Sequence, residues 1–129
     1  PLLHADHVLS QAYDFNTAYP GIGPNRCAFY TDQDGDGDAE RHVIEVVGSQ
    51  LRVTIGEENG RPTRTSVWSS NNANIASGVP LFRYYSSDGA EITTMSDVPT
   101  DARSIKVTIV VDYNGTLLED TRIVFLRNR

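Results

Sequence analysis

Two Asn-Gly pairs, each following a stretch in which apolar and polar residues alternate, constrain this chain more than any other feature. Asn-Gly supplies the positive φ of a tight hairpin turn, and strict alternation is the period of a strand with one buried and one wet face. Asn59-Gly60 comes after Leu51, Val53 and Ile55, which alternate with Arg52 and Thr54. Asn114-Gly115 follows Ile105, Val107, Ile109, Val111 and Tyr113, with Lys106, Thr108 and Asp112 on the opposite face. The pattern predicts strands over 26–31, 41–47, 50–55, 64–68, 79–85, 104–113 and 120–126, the first four as a meander. After 85 it predicts a Ser86-Ser87-Asp88-Gly89 turn, then a loop rich in Thr, Asp and Pro up to 104.

The start of the chain has a different period. Leu2, Ala5, Val8, Leu9, Ala12 and Phe15 fall on one helical face, and the run from Ala18 to Asn25 holds two prolines and two glycines, which no helix continues through. The expected fold class is therefore α+β, an N-terminal amphipathic helix packed on antiparallel β-sheet. At 129 residues the chain is expected to be a single domain, 1–129, with a β-rich part from 26 to 129. No fixed-period repeat occurs, which disfavours a solenoid or propeller.

Composition narrows the function classes. No apolar run is long enough to span a hydrocarbon core of roughly 30 Å. Eleven basic against 17 acidic side chains give a net charge of -6, a field that repels phosphate backbones, so nucleic acid is not an expected partner. Asp32, Asp34, Asp36, Asp38 and Glu40 account for most of that imbalance.

Those five residues are also the sharpest local motif. Carboxylates at the first, third and fifth positions with Gly37 at the sixth match the front half of an EF-hand calcium loop, where alternate oxygens converge on the ion. Position seven, Asp38, would offer its backbone carbonyl, and position nine is Glu40. Position twelve is Val43 rather than a bidentate glutamate, and no helix is expected on either side, so an EF-hand is rejected. Two readings stay open. One is a calcium-binding hairpin completed by water, Glu45 or another part of the fold; the other is a solvated Asp-Gly turn with no ion.

Other constellations carry less. His4 and His7 are three apart on the expected helix and His42 is the remaining histidine, with no third metal ligand in view; the pair reads as solvent-facing. Neither Gly-x-Ser-x-Gly nor His-Glu-x-x-His occurs, and Gly21-Ile22-Gly23 leads into Pro24 and a strand rather than a phosphate-cradling helix, so the chain reads as non-enzymatic. Cys27 reads as a buried strand thiol, Arg61 and Arg64 with Trp68 as a solvated sheet edge, and the Asn114-Gly115-Thr116 sequon as a turn.

In order, the Asp34-Gly35-Asp36-Gly37 turn after the first strand, the stretch from Ile75-Ala76-Ser77-Gly78-Val79 through Phe82-Arg83-Tyr84 to Asp88-Gly89, and the close Val124-Phe125-Leu126-Arg127-Asn128 resemble the globular part of type IV pilin-like proteins. The likeness is greatest to minor pilins and to the J-type minor pseudopilins of type II secretion. The resemblance implies a non-enzymatic filament subunit whose residues 1–16 are the remainder of a long N-terminal helix. It further implies a preceding apolar helix, headed by phenylalanine after a short basic leader, that holds the protein in the bacterial inner membrane before filament assembly. Partners would be other pilins or pseudopilins in a tip complex, and localisation the inner membrane facing the periplasm, then the pilus or pseudopilus at the cell envelope. A start at Pro1 without methionine reads as a processing boundary, with native sequence upstream. A second class is a secreted or surface β-rich binding module, adhesin-like, using the acidic loop and Tyr19, Trp68 and Tyr85 as contacts.

Overall fold

A computed structural model of the protein describes residues 22–31, 40–57 and 64–126. Four strands, β1 (Arg26–Thr31), β2 (Glu40–Val47), β3 (Gln50–Glu57) and β4 (Arg64–Ser69), pair in chain order as an antiparallel meander. A single helical turn, α1 (Asn74–Ser77), leads to β5 (Phe82–Tyr85) and the two-residue β6 (Glu91–Ile92). A 3-10 turn (Met95–Asp97) and a second one-turn helix, α2 (Val98–Asp101), precede the two longest strands, β7 (Ser104–Tyr113) and β8 (Thr116–Phe125). These last four strands make a second antiparallel sheet in the order β6-β5-β7-β8.

The alternation read in the sequence becomes the core. Cys27 and Phe29 of β1, Ile44 and Val46 of β2, and Leu51 and Val53 of β3 point to one side of the first sheet. They share a single apolar cluster with Phe82, Tyr84, Ile105, Val107, Ile109 and Val124 of the second sheet and with Leu81 just before β5. Polar cross-connections hold the two sheets in place. Tyr84 Oη on β5 donates a shared hydrogen bond to the carbonyls of Gly23 and Arg26, each at 3.1 Å, at the entry to β1. The backbone N–H of Phe82 donates to Pro24 O at 2.8 Å, and that of Leu81 to Asn25 Oδ1 at 3.1 Å.

The α+β expectation is corrected here. Among the described residues the protein is mostly strand in two antiparallel sheets, and its helices are single turns. The physical reason lies in what covers the apolar face of the first sheet: the second sheet supplies a matching apolar face, so among the described residues a sheet takes the place assigned to the helix. The helix expected over 2–15 lies outside the described residues.

Several strand expectations hold to the residue. β1 and β7 have the predicted bounds, and the first four strands form the predicted meander. Asn114 and Gly115 adopt φ values of 53° and 85°, and Tyr113 pairs directly with Thr116, as a two-residue hairpin requires. β8 begins at Thr116, well before the predicted 120; β6 and α2 lie where a loop was expected, and α1 falls between the strands predicted over 64–68 and 79–85.

Between the sheets, Asn74 organises the α1 region. Its Nδ2 donates to Val79 O and Thr108 O, both at 2.9 Å, while its Oδ1 accepts from Val110 N at 3.2 Å and Asn72 Nδ2 at 2.8 Å. Asn72 Oδ1 in turn accepts from the Asn74 backbone N–H at 2.9 Å. Every hydrogen-bonding position of this buried amide is used, so the stretch leading into α1 docks on the free side of β7 without a continuous strand ladder.

Candidate functional site

β1 and β2 pair outward as far as Thr31 and Glu40, so the acidic segment joins the two strands of one hairpin. Asp32, Asp34, Asp36 and Asp38 lie outside the described residues, as does the side chain of Glu40. The strands do settle two ligand questions. Val43, at the twelfth loop position, is buried inside β2 opposite Ala28. Glu45 pairs with Arg26 at the far end of the hairpin and forms an ion pair with it, Nε to Oε2 3.6 Å. Five residue steps along the strand lead from Glu40 to Glu45, about 17 Å at the rise of an extended chain, so Glu45 is removed as a completing ligand. With Glu45 out of reach, a calcium ion held by Asp32, Asp34, Asp36, Asp38 and Glu40 would be completed by water or another part of the fold. Among the described residues, no three His, Cys, Asp or Glu side chains come together as a metal-binding group.

Cys27 is fully buried, as its surroundings in the sequence suggested. Burial pushes its thiol up to about 12, against a smaller lowering effect of the Tyr84 hydroxyl, so it stays protonated and is no nucleophile at neutral pH. Burial, followed by the neighbouring Cys27, raises the Tyr84 phenol well above its ordinary value. His42 sits on the core face of β2, stacked on Phe29 with ring centroids 5.3 Å apart, a packing role rather than a metal ligand's. His4 and His7 lie outside the described residues.

Trp68 packs against the core from β4, the outer strand of the first sheet, while Tyr85 is half-buried on β5 of the second. The aromatic contacts expected of a binding module are thus divided between sheets, and Tyr19 lies outside the described residues. Arg64 is exposed on that same β4 edge, in keeping with a solvated edge; Arg61 lies outside the described residues. A shallow groove of about 270 Å³ runs between Pro24, Pro80, Phe82, Ile92 and Met95, with Arg83 and Glu91 paired at 3.4 Å beside it. It lies below the usual size of small-molecule sites.

The surface that sequence reasoning missed is the β7–β8 hairpin. Tyr113, Leu117, Leu118, Ile123 and Phe125 are each more than half exposed, Phe125 at 73%. β8 is an outermost strand of its sheet, with Leu117, Ile123 and Phe125 on one of its faces and Leu118, beside Tyr113 of β7, on the face that carries Val124. The signal that could have found them is Asn114-Gly115 itself: a two-residue turn places Thr116 opposite Tyr113 and starts the strand there, bringing Leu117 and Leu118 onto it.

Comparison with protein-family models, with curated proteins and with solved structures returns no match.

Proposed function

We propose that this chain is a non-enzymatic assembly subunit that works by docking onto other protein subunits, and that the assembly is a minor-pilin or pseudopilin tip complex. The observation that carries the docking reading is the set of exposed apolar side chains on both faces of the β7–β8 hairpin, beside the unpaired edge of β8. Exposed apolar side chains beside an unpaired strand edge mark protein–protein contact sites, and soluble domains ordinarily blunt such edges. The filament class is supported by the ordered likeness of the Asp34–Gly37, Ile75–Gly89 and Val124–Asn128 stretches to pilin-like proteins.

The test is the mass-spectrometric N-terminus of the protein isolated from its own cells. A methylated phenylalanine heading an apolar stretch of about 20 residues, the length that spans a bilayer, is the expected result. A conventional signal-peptide scar directly before the domain would overturn the filament reading.

A further inference from the structure

The free edge of β8 carries enough pattern to name its partner. Tyr113 and Thr116 flank a two-residue turn and are therefore a doubly hydrogen-bonded pair, which sets the alternation along the whole ladder. Leu118, Asp120, Arg122 and Val124 then bond inward to β7, and the N–H of Leu126 donating to Arg103 O at 3.0 Å continues the same parity. The backbone groups of Leu117, Glu119, Thr121, Ile123 and Phe125 face the open edge. None of these residues is proline, and among the described residues no strand flanks β8 on that side.

One register alone sets Asp120 opposite Arg122. A two-fold axis through an antiparallel pair of identical strands keeps like faces together, so the axis must pass through a residue. Centred on Thr121, Asp120 faces Arg122 of the second copy and Arg122 faces Asp120, while Leu117 meets Phe125 and Leu118 meets Val124. Moving the axis one residue either way sets Asp120 against Asp120 or Arg122 against Arg122, and like charges directly opposite are destabilising. Centring on Glu119 has the same fault.

We infer that β8 pairs antiparallel with β8 of a second copy of this chain about a two-fold axis at Thr121, making one continuous eight-stranded sheet. This rests on the docking reading of the hairpin given above and not on the filament class, which the N-terminal mass tests separately. Pairing one strand with another covers less than the ~1,200 Å² of a standard interface, so the dimer is an equilibrium one, with a midpoint at tens to hundreds of micromolar.

Sedimentation velocity of the 129-residue chain, from about 10 to about 500 µM, reads the mass. The expected result is a shift from monomer to dimer across that range. Thr121→Pro removes an outward N–H and spares the backbone ladder to β7 but also loses the 3.1 Å bond between the Thr121 and Thr108 hydroxyls. The variant is therefore expected to melt lower and to lose the dimer, whereas Thr121→Val, which loses the same hydroxyl and keeps the N–H, is expected to keep the dimer. Asp120→Arg alone and Arg122→Asp alone are each expected to weaken association about tenfold, and the double exchange to restore it. A monomer at every concentration overturns the inference while leaving the N-terminal mass result standing. A dimer indifferent to Thr121→Pro, or a double exchange that fails to restore association, overturns it as well.

Discussion

Replacing Asn74 by alanine is expected to cost far more than its position beside an exposed turn of helix suggests. The side chain serves four partners, and truncation strands Val110 N–H, Thr108 O and Asn72 Nδ2 in buried surroundings. A buried polar group left unpaired costs about 1–3 kcal/mol. Water entering the space vacated by the amide recovers part of that, and Val79 O is only partly buried. A loss of about 3–5 kcal/mol follows, a large fraction of the 5–15 kcal/mol that typically holds a domain together. Urea denaturation followed by tryptophan fluorescence reads the change, since Trp68 packs on the shared core. Ile75→Ala, one residue away and half exposed, is the control and should cost under about 1 kcal/mol. Equal losses for the two variants, or a loss below about 1 kcal/mol for Asn74→Ala, would refute the assignment of Asn74 as the group that docks this segment on β7.

Two further outcomes follow from buried and acidic groups. Cys27 and Tyr84 are raised by burial, Cys27 from 9.0 to about 12, so their contribution is complete below pH 9 and is lost as pH rises toward the folded values. Stability should fall by about 1.4 kcal/mol per pH unit above pH 9, more steeply above pH 10, and Cys27→Ala should flatten the first part of that fall; parallel curves for the two proteins between pH 8.5 and 10 would contradict it. Millimolar calcium is expected to raise the melting temperature by binding the folded hairpin alone, and Asp34→Ala with Asp36→Ala to abolish the rise; an unchanged curve in the parent protein returns the segment to a solvated turn.

How much of this was legible in the sequence depended on the range of the interaction involved. β1, β7 and the Asn114-Gly115 turn could be read because alternation and positive φ are local properties. The partner of the first sheet's apolar face could not, because periodicity shows that a face will be buried and is silent on whether a helix or another sheet buries it. Asn71, Asn72 and Asn74 look like loop chemistry in one dimension; only the approach of Val79, Thr108 and Val110 turns Asn74 into a buried junction. In the candidate site, the acidic motif was visible, whereas the exclusion of Glu45 required its register opposite Arg26. The exposed apolar residues of β8 were half visible, missing Leu117 and Leu118 because Glu119 and Asp120 interrupt the apolar pattern.

The bond from Tyr84 to Gly23 and Arg26 bears on how the protein reaches its native state. Within each sheet most pairings join strands that follow one another in the chain, and such contacts close small loops at little entropic cost. The Tyr84 hydroxyl instead spans 61 and 58 residues to its two carbonyls. The meander and the β7–β8 hairpin are thus expected to gain structure before the two halves interlock, with closure around Tyr84 setting the slow phase. Hydrogen exchange in the assembled protein should then divide into two cooperative units whose seam runs through this one phenol.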